Sequence, residues 1–245
     1  SEYDAGGVIS RTETNDKTCY SDPHLYPKVS FLDPTYTFTV SKKQTAAGVA
    51  DAMNHIMEQY FCEDSTLLND GFMEAGLRSL MINGRKCLEN PEDYKARAEM
   101  MLVCTYGCNG IYSLGNSESG WPCHGMEHAL SAYYDITHGE GLAIITPRWM
   151  KHILSEKTVY RFVKYGVNVF GIDASLDKMT IANKAIDETY KFFESINIPM
   201  HLKDVGIDET RVDEMAKHVA DNEGLENAWA PLPEEDIAAI FRASL

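Results

Sequence analysis

The chain has 245 residues, 44% of them hydrophobic, so it can bury a sizeable core in one or two domains. Its net charge of −15 argues against binding to nucleic acids or anionic membrane surfaces, because both are bound through a basic face. There is no run of about eighteen apolar residues and no basic leader before an apolar stretch, so we expect no membrane span and no secretion signal in this sequence. The six cysteines form no CxxC pair, so we expect reduced thiols and a cytoplasmic location.

The first part of the chain reads as short strands and turns. Val8–Ser10 is strand-like, Glu13–Lys17 is a polar turn, and Lys28–Leu32 is a second apolar run that ends at an Asp-Pro pair. The pattern predicts only a hairpin's worth of sheet. Two or three strands alone are marginally stable in water, so we expect this region to pack against other parts of the protein.

After Pro34 the apolar residues recur three and four positions apart, which is typical of amphipathic helices. Asn83-Gly84 and Leu114-Gly115-Asn116 are predicted turns, and an apolar run from Leu142 ends at Pro147. With seven or more helices and no internal repeat, the bulk of the chain is predicted to be an all-α domain. The predicted helices are Ser41 or Thr45 to about Cys62, Ser65 to about Ile82, Asn90 to Ile111, Trp149 to about Phe170, Ile181 to Ile196, Asp208 to Asn222 and Glu234 to Ala243.

Two groups of residues suggest a metal site. Of the eight histidines, His124, His128 and His138 fall within the stretch Gly120–Gly139, and neutral imidazole is the commonest protein ligand for a borderline divalent metal. Asp51 and His55 are four positions apart, so on a helix they share one face. The alternative for the three clustered histidines is one surface histidine and two core histidines with satisfied hydrogen bonds.

Spacing leaves two ways to pair the clustered histidines. His124 and His138 would lie about 21 Å apart on a straight helix, too far for one ion, but the residues from Asp135 to Gly139 look like the end of one helix and the start of another. A chain reversal there can bring His138 back beside His124. His124 and His128 are four apart on one turn, although the glutamate between them is misplaced for an HExxH zinc site. Sequence spacing alone does not choose between the two pairs.

The combined pattern of Asp51-x-x-x-His55, His124-x-x-x-His128 and His138-Gly139 resembles the C-terminal domain of the iron-containing (group III) alcohol dehydrogenases. The text around Gly48–Ala52 and Pro34–Thr37 is most similar to the butanol dehydrogenase and NADPH-dependent aldehyde reductase branch. The resemblance implies that Asp51, His55, His124 and His138 hold Fe²⁺, with Zn²⁺ as the alternative ion.

The same resemblance implies the other parts of an active site. His128 would lie beside the nicotinamide and the substrate as a catalytic proton-relay or positioning residue, and Lys17 and Tyr36 would contact the cofactor, NAD(P)H. Asp4 stands where the family usually has asparagine, which puts a carboxylate close to the expected cofactor. The implied substrate is a small alcohol or aldehyde of the butanol type, and the implied assembly is a homodimer.

Members of this family carry a doubly wound α/β nucleotide-binding domain before the helical one, and Ser1-Glu2 matches the end of a motif of that domain. The expected fold is therefore mainly α: residues 1–36 would be a β-hairpin remnant of the nucleotide-binding domain, and residues 37–245 the helical metal-binding catalytic domain. No glycine-rich pyrophosphate turn is present, so we expect this chain alone to bind NAD(P)H weakly and to lack dehydrogenase activity.

Two other functions compete with this interpretation. A dehydroquinate-synthase-like lyase would have a similar fold and metal site, although the sequence around Asp51 and Tyr36 favours the butanol branch. A non-catalytic helical module would use the histidines as core or structural-metal residues.

Overall fold

The computed structural model describes residues 4–245, so the prediction made on Ser1-Glu2 lies outside the described residues. Two strands, β1 (Gly6–Arg11) and β2 (Asp16–Ser21), form an antiparallel hairpin in which Gly6 pairs with Ser21 and Arg11 with Asp16. The helices of the described part are α1 (Lys42–Tyr60), α2 (Leu67–Glu89), α3 (Tyr94–Cys108), α4 (Pro122–Tyr134), α5 (His138–Ile153), α6 (Val159–Phe170), α7 (Lys178–Ser195), α8 (Val212–Asn222) and α9 (Glu234–Ala243).

The hairpin corrects one expectation. The second strand is β2 and begins within the predicted polar turn, whereas Lys28–Leu32 forms no strand. Phe31 is 93% exposed and Val29 71% exposed, so these two apolar side chains gain little of the burial that would favour a strand. The mainly α class is confirmed, while the domain boundary between residues 36 and 37 stays a prediction.

Local capping explains where several helices begin. Ser41, Thr66, Asp93 and Asp177 precede α1, α2, α3 and α7, and each side chain accepts a hydrogen bond from a backbone N–H in the first helical turn. Such caps satisfy donors that the helix itself leaves unpaired.

Two predicted helix boundaries were wrong. Asn83-Gly84 lies inside α2, where a Cβ on Gly84 would come within 2.8 Å of Val49; the glycine allows α2 to approach α1 closely. The predicted Trp149–Phe170 helix is divided between two helices. Helix α5 continues through Pro147 and ends at Ile153, and α6 begins at Val159. The Thr158 hydroxyl donates to the Ile153 carbonyl at 2.7 Å and closes a turn before α6.

Helix α1 organises the part of the fold that carries the candidate site. It packs against α2, α3, α4 and α5, and its apolar residues are among the most buried in the chain. The hairpin packs on α4 through β2. Within residues 4–245, none of the helices combines the length and the apolar character needed to cross a membrane.

Candidate metal centre

Four side chains from three helices meet beside α1. Asp51 and His55 project from α1, His124 lies in the first turn of α4, and His138 is the first residue of α5. Helix α4 ends at Tyr134, the next residue Asp135 has a left-handed backbone (φ 53°), and α5 starts at His138. The rings of His124 and His138 lie 5.3 Å apart between centroids, so the reversal considered in the sequence occurs.

The Asp51 carboxylate is the centre of this group. Its Oδ1 atom lies 3.5 Å from Nε2 of His55, 3.8 Å from Nε2 of His124 and 3.7 Å from Nε2 of His138. This oxygen is buried and makes no hydrogen bond within the described part of the chain. A buried carboxylate oxygen without a donor is costly, and a cation among these four atoms would satisfy it.

The ligand atoms of Asp51, His124 and His138 all lie within 4.8 Å of one another. His55 joins the group through its Nε2, which lies 3.3 Å from Nε2 of His124. Three imidazoles and one carboxylate are a donor set that suits Fe²⁺ or Zn²⁺, so the residues present fit the metal that the resemblance implied.

The fold also favours one of the two possible histidine pairs, His124 with His138. Although His128 is only four residues from His124, their ring centroids are 6.5 Å apart. His128 instead stacks on His138 at 6.0 Å, and its Nδ1 is 3.6 Å from the carboxylate of Glu223 at the end of α8. It therefore lies beside the four clustered residues and outside the cluster.

Two fully buried carboxylates, which sequence reasoning missed, hold two of the histidines from behind. Glu58 on α1 pairs with Nδ1 of His124, and Glu127 on α4 pairs with Nδ1 of His138. Both side chains have 0% exposure. A carboxylate that accepts from Nδ1 leaves the Nε2 lone pair of the same ring free for a metal ion.

The signal for Glu58 was present in the sequence. Asp51, His55 and Glu58 are four and three positions apart, so all three lie on one face of α1, and an acidic side chain on a core-facing stripe needs a partner. Glu127 stands three residues after His124, but its relation to His138 depends on how α4 and α5 pack.

Burial sets the protonation of the site. It lowers the pKa of His55 to about 4 and that of His124 to about 3, so both imidazoles are neutral at physiological pH, as metal ligation requires. Burial also raises the pKa of Glu58 to about 8, although backbone N–H groups of His124 and Cys123 oppose the shift.

The glycine after His138 permits the approach of α5 to α1. A Cβ on Gly139 would lie 2.0 Å from the backbone oxygen of Ala47, a distance that no side chain can occupy. The close contact brings the first residue of α5 beside the Asp51 turn of α1. The His138-Gly139 pair thus has a packing reason.

The predicted cofactor contacts lie in different surroundings. Nζ of Lys17 lies 3.1 Å from Glu127 and 3.3 Å from Nδ1 of His138, so this lysine reaches the metal centre itself. Tyr36 is 84% exposed, on a short 3-10 segment (Pro34–Thr37) that packs against α3. Asp4 accepts a hydrogen bond from the Gly6 backbone at 3.3 Å.

Comparison with known proteins identifies the family of this chain. Residues 45–245 match the family model described as Fe-containing alcohol dehydrogenase family, C-terminal. The NADH-dependent butanol dehydrogenase A of Clostridium acetobutylicum is 47% identical over 246 residues, which cover all of this chain and 63% of that protein. The NADPH-dependent aldehyde reductase YqhD of Escherichia coli is 34% identical, with 91% of this chain and 57% of that protein covered.

A solved structure supports the same assignment. The crystal structure of NADH-dependent butanol dehydrogenase A from Thermotoga maritima superposes with a TM-score of 0.92 at 33% identity, over 99% of this chain and 62% of that one. The chain thus spans about three fifths of the length of such relatives. From the family match and the fold, the chain belongs to the iron-containing alcohol dehydrogenases and corresponds to their C-terminal part.

Proposed function

We propose that this chain forms the metal-binding part of an NAD(P)-linked alcohol dehydrogenase or aldehyde reductase that acts on a small primary alcohol or aldehyde. The observation that carries the proposal is the buried, unpaired Oδ1 of Asp51, which faces Nε2 of His55, His124 and His138 at 3.5 to 3.8 Å. The named relatives are all dehydrogenases or reductases, which favours this function over the lyase.

In this proposal Asp51, His55, His124 and His138 hold Fe²⁺, or Zn²⁺ in its place, because both ions accept this mixture of nitrogen and oxygen ligands. A divalent ion there supplies Lewis-acid polarisation of the alcohol or aldehyde oxygen. Nicotinamide supplies the hydride donor or acceptor. The chain's own residues would orient the substrate oxygen. They would also exclude water from one side of the site, because His124 is 9% exposed and His128 8% exposed.

His128 is suited to move the proton of the alcohol. Its ring stacks 6.0 Å from that of His138, and its Nδ1 makes no hydrogen bond within residues 4–245. Nδ1 also lies 3.6 Å from Glu223, whose side chain is 27% exposed, so we propose that the proton leaves toward solvent through this carboxylate once the two groups close to hydrogen-bond distance. A relay that starts beside the substrate and ends at a solvated acid fits general acid–base catalysis.

The remaining contacts are carried over from the family resemblance. Lys17, Tyr36 and His128 are proposed to border the cofactor, NADH or NADPH, and the intact protein is proposed to be a homodimer. The pyrophosphate site would lie in the part of the family's fold that this chain does not span, so we expect residues 1–245 alone to bind metal without reducing aldehydes.

The test measures metal content and aldehyde-dependent NAD(P)H oxidation by the intact protein. We expect about one divalent ion per chain, loss of turnover on chelation, and recovery when Fe²⁺ or Zn²⁺ is returned. His138→Ala should lose the ion, whereas His152→Ala is the matched control, because His152 pairs with Asp236 at 3.2 Å on a different surface. Full turnover by protein stripped of divalent metal would contradict the proposal.

A further inference from the structure

The two buried carboxylates behind the metal centre have different additional partners. Oε2 of Glu127 faces both Nδ1 of His138 and Nζ of Lys17, the lysine at 3.1 Å, and Oε1 accepts from the Ser131 hydroxyl. Nζ of Lys17 is also 3.3 Å from Nδ1 of His138. Contacts therefore run without a gap from the second residue of β2 to a candidate metal ligand.

The order of these contacts is chemically specific. The lysine ammonium is only a donor, so it and the imidazole N–H must share the Glu127 oxygen as their acceptor. With its Nδ1 hydrogen directed at Glu127, His138 presents the Nε2 lone pair toward Asp51, 3.7 Å away. The Lys17 side chain is only 14% exposed and Glu127 is fully buried, so this pair is shielded far more than a surface ion pair.

Most of the described hairpin is exposed and not buried against the helical part. Both strands are exposed over their last four residues, and β2 reaches the helices at α4. A second ion pair joins Asp16 to His218 on α8, but at 3.7 Å and with the Asp16 side chain 41% exposed. Because a two-stranded hairpin is marginally stable by itself, its order depends on contacts such as the one made by Lys17.

Resting on the metal-dependent function proposed above, we propose that Glu127 is a positioning residue for His138 and that Lys17 couples it to the β-hairpin. Metal binding and ordering of the hairpin then favour each other. An ion held by His138 would fix the orientation of its ring, and the ring would then order Glu127 and, through Glu127, Lys17. Such a coupling is reciprocal, so an ordered hairpin increases metal affinity by the same factor.

The experiment measures Zn²⁺ affinity and backbone amide hydrogen exchange of residues 6–21 in the intact protein. In the parent, Zn²⁺ should slow exchange in the hairpin. Lys17→Met should abolish that slowing and weaken Zn²⁺ binding about tenfold, and Glu127→Gln should weaken it about 10–100-fold, the usual range for partners of metal ligands. Lys17→Arg, which keeps the charge and the donors, should restore both effects.

Two comparisons make the result specific. Lys43→Met removes the same charge from a lysine that pairs with Glu140 at 3.2 Å near the start of α5, and it should behave like the parent. The double variant Lys17→Met/Glu127→Gln should bind Zn²⁺ about as well as Glu127→Gln alone, because Lys17 acts through Glu127.

Three outcomes would overturn the coupling. These are hairpin protection by Zn²⁺ in Lys17→Met equal to that in the parent, tighter Zn²⁺ binding in Lys17→Met, and strictly additive losses in the double variant. Tighter binding would mean that Lys17 merely repels the ion. A parent protein that binds no Zn²⁺ or Fe²⁺ would instead contradict the proposed function itself.

Discussion

The half of the metal centre around His124 and the half around His138 contain the same kind of contact in different surroundings. In each, a fully buried glutamate pairs with Nδ1 of the histidine. Glu58 also accepts backbone N–H groups at the start of α4, from Cys123 at 2.6 Å and from His124 at 3.2 Å. Glu127 has no such backbone donors recorded among the described residues, and its other partners are the side chains of Lys17 and Ser131.

The difference predicts that the site is more rigid on the Glu58 side than on the Glu127 side. The Glu58 half is tied to the backbone of α4 inside the helical core, so it cannot change without disturbing the helix start. The Glu127 half ends at the hairpin, whose strands are largely exposed.

The largest effect is expected from removal of a ligand in either half. His124→Ala and His138→Ala should each weaken metal binding by at least about 100-fold. Removal of a hydrogen-bond partner of a metal ligand can by itself weaken binding by up to about that factor. His128→Ala should keep the metal and lose turnover. Metal analysis after dialysis, together with activity assays, distinguishes these cases. Equal metal loss in His128→Ala and His124→Ala would favour the pair of histidines on one helical turn.

The next effect concerns stability without metal. Glu58→Ala should lower the free energy of unfolding by roughly 2–4 kcal/mol, because two buried backbone N–H groups lose their acceptor. Glu127→Ala should cost only about 1 kcal/mol beyond its cavity, since side-chain donors can turn to other acceptors. Urea unfolding of both metal-free variants measures the difference. Equal losses would show that the two halves are embedded alike.

A smaller effect is expected where α5 docks on α1. Gly139→Ala should destabilise the protein by about 1–3 kcal/mol and weaken metal binding, because its Cβ cannot fit against Ala47 and must displace His138. The control is Gly48→Ala on α1, where a Cβ would meet nothing within 4 Å. Thermal unfolding should show the control unchanged or slightly stabilised. A neutral Gly139→Ala would contradict this account of the close contact.

The last prediction, whose effect is small near pH 8, is a pH dependence in the Glu58 half. With its pKa raised to about 8 by burial, Glu58 is protonated in the metal-free protein at pH 7, whereas metal binding requires it to accept from His124. The bound proton must leave, so affinity should fall by up to about tenfold per pH unit below pH 8 and level off above it. The pKa values of about 4 for His55 and 3 for His124 move competition by these imidazoles to far lower pH.

Zn²⁺ titrations from pH 6 to pH 9 measure that slope, and Glu58→Gln provides the matched control because an amide does not titrate. The slope should flatten in the variant. An identical slope in the parent and in Glu58→Gln would assign the proton to another group.

Sequence reasoning reached part of the fold and part of the site. The four-residue spacing of Asp51 and His55 predicted a shared helix face, and the residues from Asp135 to Gly139 predicted a break between helices. Both features are local: helical periodicity indicates the shared face, and β-branched residues followed by a glycine indicate the break. The complete set of four metal ligands came from the family resemblance, and ligation itself stays a prediction.

Only the tertiary structure decided which side chains meet. The choice of His138 over His128 as the neighbour of Asp51 depends on the backbone contact between Gly139 and Ala47. The contact between Glu127 and Lys17 joins residues 110 positions apart. The second strand formed at Asp16–Ser21 and not at the predicted Lys28–Leu32, because strand formation depends on packing against other elements. Periodicity determines which residues share a face of one element, but a site built from three helices and a hairpin depends on how closely their backbones approach.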